Sequence, residues 1–142
     1  MIVRRLLHGS ALHFDATRTV FALSSAQGVS GVALLRVSGP RANDALRALL
    51  GKQQSLPPVR RAALRTLYDA SGEPLDDAVV TRFAGPRSFT GHDTVELGVH
   101  GSIAVVRDTL RALHESGVAQ PAAPGEFTRQ AFAAGRLVCL LF

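Results

Sequence analysis

Glu96 is the acidic residue whose position in the sequence best suits a binding role. Residues 93–100 alternate in hydrophobicity, which predicts a strand with one apolar face and with Glu96, Gly98 and His100 on the other face. A carboxylate accepts two parallel hydrogen bonds, so Glu96 suits a heterocycle that carries an N–H beside an exocyclic amine. The alternative is a solvated carboxylate, and the residue type alone favours that alternative.

Arg36 is a second candidate for binding. It interrupts the apolar run LLRVS, and alternation places its side chain on the opposite face from Leu35 and Val37. That face is either exposed to solvent or the floor of a pocket for an acidic ligand. Arg136 is the third candidate, and it follows Gly135 at the predicted end of a helix. A cation is favourable at a helix end with or without a ligand.

Short motifs of several enzyme classes are missing from the sequence. It contains no GxxxxGK[ST] phosphate-binding loop, no GxGxxG dinucleotide motif and no GxSxG nucleophile motif. His92 and His100 are eight residues apart and have no second pair of metal-binding side chains. Cys139 is the only cysteine, which excludes an internal disulfide and a multi-cysteine zinc site. The sequence therefore predicts no metal site, and it assigns no catalytic residue.

Composition indicates one globular domain with an uneven charge. The chain has 142 residues, 46% of them hydrophobic, and its apolar runs are too short to span a membrane. Residues 1–66 carry ten basic and two acidic side chains, whereas residues 67–142 carry six basic and nine acidic ones. This asymmetry is typical of a protein with an anionic partner on one side. The alternative, which the sequence supports equally, is that these arginines are simply exposed to solvent.

The first residues, MIVRRLLHGSALHF, combine an apolar helical face with basic residues, and no acid occurs before Asp15. This pattern is typical of an organellar transit peptide, so residues 1–18 are predicted to be a mitochondrial leader. A plain N-terminal helix or a disordered tail is the alternative for this segment. The predicted location is therefore mitochondrial, with the bacterial cytoplasm as the alternative.

The periodic and turn-forming segments predict an α+β fold rather than a regular α/β alternation. The expected order is β-β-α-β-β-β-α-α, with VAQPAA irregular. Ser38 is expected to cap the first helix, and Ser102 the second. The apolar stripe of the second helix is expected to be Ile103, Val106, Leu110 and Leu113. Strands are predicted at residues 19–25, 32–38, 61–68, 78–83 and 93–100, and helices from about 40, from 103 and over 127–134.

Four ordered blocks of the sequence resemble the N-terminal domain of the tRNA-modification GTPases MnmE and TrmE. They are TVFALSS, GVALLRVSGP, GEPLDDAVVTRFAGPRSFTGHDTVELGVHG and PGEFTRQAFAAGRL. The runs GPRSFTG, VEL and HG in that order, and PGEFT before AF, are specific to this family. The resemblance covers residues 19–137, which is nearly the whole chain after the predicted leader.

The resemblance implies a mixed β-sheet packed against helices, similar to the folate-binding domain of aminomethyltransferases. It implies that the domain binds a tetrahydrofolate derivative, in the 5-formyl or 5,10-methylene form, and that it forms a homodimer. The implied folate contacts are Arg36, Glu96 and Arg136, with Glu96 on the pterin amine and N–H and the arginines on carboxylate or carbonyl groups. In the longer family proteins, the domain acts with an MnmG/GidA-type flavoprotein on carbon 5 of the wobble uridine of tRNA.

The sequence departs from the family pattern at three places. The family has HGG where this chain has His100-Gly101-Ser102, and it has lysine where Arg136 stands. After Leu137 the family continues into a helical domain that holds the GTPase domain. Residues 138–142 are therefore expected to be the truncated start of that helical domain, and no GTPase activity is expected of this chain. The open alternatives are a stand-alone aminomethyltransferase-like folate enzyme, and a dimerising interaction module or non-functional truncated isoform.

Overall fold

The computed structural model describes residues 15–137, so residues 1–14 of the predicted leader and the predicted truncated segment 138–142 lie outside the described residues. The strands are β1 (Val20–Leu23), β2 (Val32–Ser38), β3 (Ala63–Tyr68), β4 (Pro74–Phe83), β5 (Thr94–His100) and β6 (Gln120–Pro121). The helices are α1 (Ala42–Leu50), α2 (Ile103–Glu115) and α3 (Glu126–Ala133). Within 15–137, no helix has the length and apolar character to cross a membrane.

The strands form one mixed sheet in the order β3-β4-β5-β2-β1-β6, which confirms the predicted α+β class. Neighbouring strands are antiparallel except β6, which lies parallel to β1. The register sets Arg36 of β2 directly opposite Glu96 of β5. Ala22 of β1 and Thr81 of β4 extend this row on either side. Side chains from four strands therefore share one line across one face of the sheet.

One face of the sheet, here called the covered face, packs against α1 and α2. Leu35 of β2, Leu67 of β3 and Leu97 of β5 are completely buried there, together with Leu46 of α1 and Leu113 of α2. Burial of a leucine side chain contributes about 1.5–3 kcal/mol relative to its exposure, so this face supplies most of the hydrophobic stabilisation. The opposite face, here called the open face, carries Arg36 and Glu96.

The start of α1 differs from the prediction. Ser38 does not cap this helix, because it is the last residue of β2 and its hydroxyl bonds that of Thr90 at 2.6 Å. The Thr19 hydroxyl, just before β1, instead accepts a hydrogen bond from the backbone N–H of Arg41 at 2.8 Å. The predicted cap of α2 is confirmed, since Ser102 Oγ accepts from the backbone N–H of Val105 at 3.2 Å.

Two further expectations are wrong. The segment VAQPAA is not wholly irregular, because Gln120 and Pro121 form β6 by pairing with Val20 and Phe21 of β1. Ile103 does not belong to the buried stripe of α2, since it is 66% exposed in the first turn of that helix. The other members of the predicted stripe pack against the core: Val106, Leu110 and Leu113.

Strands β3 and β4 pair as an antiparallel hairpin, and the turn between them is organised by Asp69. Its Oδ1 accepts hydrogen bonds from the Ser71 hydroxyl and from the backbone N–H groups of Ser71 and Glu73. These bonds, that from the Ser71 hydroxyl above all, lower the pKa of Asp69 below its ordinary value. The Asp69 carboxylate therefore fixes the conformation of this turn through its hydrogen bonds.

Candidate functional site

The open face of β2 and β5 holds an ion pair between Arg36 and Glu96. Arg36 Nη2 lies 2.9 Å from Glu96 Oε1, and Arg36 Nε lies 3.3 Å from the same oxygen. The side chains are 19% and 25% exposed, so the pair is partly shielded from water. Glu96 Oε2 receives no hydrogen bond from the part of the chain that the structure describes. The carboxylate therefore keeps one oxygen available for a ligand N–H.

Two phenylalanine rings flank the guanidinium of Arg36. Its Cζ lies 5.0 Å from the centroid of the Phe89 ring and 5.6 Å from that of Phe127. Distances below about 6 Å are those of cation–π contacts. Phe89 is 47% exposed although it is large and apolar. An exposed aromatic ring beside a partly buried cation is a feature that a ligand-binding surface would have.

A groove of about 500 Å³ lies beside this cluster. Its volume falls within the range of small-molecule sites, about 300–1,000 Å³. The open side of β1 and β2 forms one wall, and residues 122–128, which lead into α3, form another. Arg36, Phe89 and Phe127 line the groove, whereas Glu96 does not. Glu96 therefore meets the groove only through Arg36.

The turn before α3 is fixed by Glu126, a residue that the sequence reasoning did not single out. Its carboxylate is 4% exposed and accepts a hydrogen bond from the backbone N–H of Ala123 at 2.6 Å. Arg18 Nη1 lies 3.8 Å from the other oxygen. Gly125 precedes the helix with a φ of +74°, in the region that favours glycine. These contacts set the direction in which α3 begins and so the position of Phe127.

The loop between β4 and β5 carries Phe89 and is tied to the sheet at its base. Asp93 Oδ1 accepts a hydrogen bond from the backbone N–H of Gly85 at 2.9 Å. Thr90 is fully buried and bonds the hydroxyl of Ser38. Gly91 has a φ of +81°, and a Cβ on it would overlap the Cβ of Ala134 after α3. The glycine thus permits the loop to touch the end of α3.

Arg136, the third predicted contact, does not join the other two. Its backbone N–H bonds the carbonyl of Ala131 at 2.8 Å, and its Cγ lies near Gly91 in the loop that carries Phe89. It does not line the groove. The structure therefore brings Arg36 and Glu96 together and leaves Arg136 apart, and the ligand-binding role of all three stays a prediction.

The histidines that the sequence singled out have different surroundings. His100 is exposed, and its Nδ1 lies 2.7 Å from Asp76 Oδ1 at the far end of β5 from the Arg36 pair. The backbone carbonyl of His92 accepts a hydrogen bond from the Ser88 hydroxyl within the β4–β5 loop. Among residues 15–137, no group of three or more histidine, cysteine or acidic side chains is arranged to hold a metal ion.

Phe89 and Phe127 were not predicted as parts of the site. Both phenylalanines occur inside the runs GPRSFTG and PGEFT, whose glycines and prolines do signal loops that approach a ligand. No local pattern shows that the two loops meet at Arg36. Gln130 is completely buried on α3, and neither Nε2 nor Oε1 has a hydrogen-bond partner within the described residues.

Comparison with protein families defines the class of this domain. Residues 19–136 match the family described as "GTP-binding protein TrmE N-terminus". The match spans every helix and strand given above, so fold and sequence describe the same unit. The chain belongs to the TrmE N-terminal domain family.

Similar curated proteins come from mitochondria and from bacteria. The mouse protein named mitochondrial 5-taurinomethyluridine-[tRNA] synthase subunit GTPB3 is 53% identical over 129 residues, which are 90% of this chain and 26% of that protein. The human protein of the same name is 54% identical over 120 residues, 84% of this chain and 24% of that protein. The tRNA modification GTPase MnmE of Roseobacter denitrificans is 50% identical over 119 residues, 84% of this chain and 27% of that protein. The chain thus spans about a quarter of the length of these relatives.

Proposed function

We propose that this domain binds a tetrahydrofolate derivative and serves as the folate-binding, dimerising part of a tRNA-modification GTPase. The folate would be the 5-formyl or the 5,10-methylene form, and it would supply a one-carbon unit when bound. The observation that carries the proposal is the Arg36–Glu96 pair beside the 500 Å³ groove. Family membership supports it independently.

The donors and acceptors at the groove fit the chemistry of a reduced folate. Glu96 offers a carboxylate whose Oε2 is not engaged within the described residues, and it would accept from the N–H and amine of the pterin. Arg36 offers a guanidinium for a carbonyl or carboxylate oxygen. The lining mixes apolar side chains such as Leu23 and Phe127, which suit the rings, with polar groups that could anchor them. Arg136 lies outside the groove wall and would act on a part of the ligand that extends beyond it.

Isothermal titration with 5-formyltetrahydrofolate tests the binding function. We expect saturable binding by the folded chain, and a loss of at least about tenfold in affinity in Glu96→Ala, because a charge-assisted hydrogen-bond acceptor is removed. Glu115→Ala, on the exposed part of α2, is the matched control and should bind as the unaltered chain does. No binding by a folded sample, or equal binding by Glu96→Ala, would reject the proposal.

Homodimer formation is the second part of the proposed function. Three large apolar side chains on strands β2, β3 and β4 are exposed: Val32 at 67%, Leu64 at 65% and Val79 at 48%. Contiguous apolar exposure of this kind marks interaction surfaces. Light scattering after size-exclusion chromatography should give twice the chain mass, and Val79→Asp should shift it toward the monomer. A monomer at all concentrations would contradict dimerisation.

Modification of wobble uridine in tRNA is proposed only for longer proteins that contain such a domain. Those proteins would act together with a flavoprotein of the MnmG/GidA type. The relatives that carry such names are about four times as long as the matched segment. The names of the mammalian relatives and the basic N-terminal residues support a mitochondrial location. Fusion of residues 1–18 to a fluorescent protein tests this location directly, and a cytosolic signal would reject it.

A further inference from the structure

The Arg36 side chain lies where the planar end of a ligand would be expected to lie. A guanidinium is flat and presents adjacent N–H groups, and here it meets a carboxylate at its edge and aromatic rings beside it. The 2-amino-pyrimidinone end of a pterin has the same three features: a flat shape, adjacent N–H groups and a face that stacks on aromatic rings. The chain's own arginine therefore imitates the ligand that the proposed function assigns to Glu96.

We propose that Phe89 and Phe127 form the aromatic walls of a slot for the pterin ring, and that Arg36 leaves Glu96 when the ring enters. This inference rests on the proposed folate binding and adds two ring-stacking residues and an exchange of partners at Glu96. Both phenylalanines line the groove, whereas Glu96 meets it only through Arg36. Movement of Arg36 would open Glu96 to the groove.

The geometry at Glu96 makes this exchange local. Both nitrogens of Arg36 contact the same oxygen, Oε1, so once Arg36 moves aside both carboxylate oxygens of Glu96 can accept hydrogen bonds from the ligand. Neither partner is fully buried, so the released guanidinium remains in contact with water and carries no large desolvation penalty. The released Arg36 lines the groove, where its guanidinium can bond carbonyl or carboxylate groups in the part of the ligand beyond the ring.

Helix α3 offers a control for the two ring residues. Phe89 is 47% exposed in a loop with glycines at positions 85 and 91, and Phe127 follows Gly125 in the first turn of α3. Phe132 provides a control, because it lies on the same helix as Phe127 and is about as exposed as Phe89, at 54%, but does not line the groove. Any general effect of deleting an exposed ring from this helix will therefore appear in Phe132→Ala as well.

Titration calorimetry with two ligands tests the slot: 5-formyltetrahydrofolate, and 6-methyltetrahydropterin, which has the ring without the tail. Phe89→Ala and Phe127→Ala should each lower the affinity for both ligands about tenfold, because a stacking ring is removed. Phe132→Ala should change these affinities by less than about twofold. If an alanine variant does not fold, as judged by circular dichroism, the corresponding leucine variant keeps the apolar volume and removes only the ring.

The exchange is tested with Arg36→Met, which keeps the length of the side chain and removes the guanidinium. This substitution should raise the affinity for 6-methyltetrahydropterin by about threefold or more, because Glu96 is freed. The affinity for the tail-bearing folate should rise less or fall. In the unaltered chain, the NMR signal of the Arg36 Nε–H should shift on ligand addition, and that of Arg47 should not.

The outcomes separate this inference from the proposed function. If the unaltered chain binds folate but Phe89→Ala and Phe127→Ala bind both ligands as it does, the slot is rejected and folate binding stands. If Arg36→Met weakens the tail-less pterin as much as the folate, Arg36 is an ordinary contact and the exchange is rejected. If the unaltered chain binds neither ligand, the proposed function is rejected, and this inference with it.

Discussion

The two faces of the sheet are made by the same strands but are organised in different ways. On the covered face, Leu35 of β2 and Leu97 of β5 pack with helix side chains and are completely buried. On the open face, Arg36 and Glu96 each lie one residue away along the same strands and form an ion pair, and Arg36 also contacts two aromatic rings. Packing that depends on volume tolerates many similar side chains, whereas directional contacts depend on a few particular groups.

This difference shows where stability and binding lie in the molecule. The covered face resembles a protein interior, and its contribution to the free energy of unfolding comes from apolar surface that is removed from water. The open face has exposed apolar side chains and a partly exposed ion pair, so it contributes less to folding. A binding surface of this kind can change its contacts at small cost to the fold, which the proposed exchange at Glu96 requires.

The largest expected effect comes from a comparison of two leucine-to-alanine substitutions, one on each face of β3. Leu67 is completely buried and Leu64 is 65% exposed on the same strand. Leu67→Ala should lower the free energy of unfolding by about 2–5 kcal/mol, because apolar contacts are lost and a cavity remains. Leu64→Ala should change it by less than about 0.5 kcal/mol. Urea denaturation followed by circular dichroism measures both, and equal losses would show that the two faces do not differ.

A second prediction compares the ion pair of the open face with one at the surface of α1. A double-mutant cycle with Arg36→Met and Glu96→Gln should give a coupling free energy of about 1–2 kcal/mol, because the pair is partly shielded and held by rings. The same cycle with Arg47→Met and Asp44→Asn should give at most about 0.5 kcal/mol, since those side chains are 61% and 47% exposed.

Added salt sharpens this second comparison. Salt screens exposed charges more than shielded ones, so 0.5 M NaCl should remove most of the coupling of Arg47 with Asp44 and leave most of that of Arg36 with Glu96. The couplings are obtained from urea denaturation of the four chains in each cycle. A coupling at Arg36 no larger than that at Arg47 would mean that the open-face pair is an ordinary surface contact.

The local pattern of the sequence predicted which face of its strand each side chain occupies. It did not predict which residues of other strands and loops that side chain contacts. Strand β2 was predicted with the observed bounds and β5 to within one residue, because alternation with period two is encoded locally. The same alternation placed Arg36 and Glu96 on the opposite face from the apolar residues that directly flank each of them. That they stand opposite each other depends on strand order and register, which no local pattern contains.

The wrong predictions have the same origin. Ser38 was expected to cap α1, but Thr19, distant in sequence and close in space, accepts the hydrogen bond instead. Strand β6 was missed because two residues become a strand only by pairing with β1. Phe89 of the β4–β5 loop and Phe127 of α3 both approach Arg36 only once the sheet and α3 are in place. Long-range contacts thus account for both the missed elements and the missed site residues.

The smallest expected effect concerns Gln130, a buried side chain of α3, the helix whose first turn lines the groove. Its amide is completely buried, and none of the described residues forms a hydrogen bond with it, whereas the covered face is filled by apolar side chains. A buried polar group without a partner costs free energy, so Gln130→Met, which keeps the length of the side chain, should raise the free energy of unfolding by about 1 kcal/mol. Urea denaturation measures the change, and Phe132→Met on the exposed side of the same helix controls for the helix propensity of methionine. A loss of stability in Gln130→Met would show that the amide does have a polar partner, and α3 would then be held by directional contacts as the Arg36 pair is.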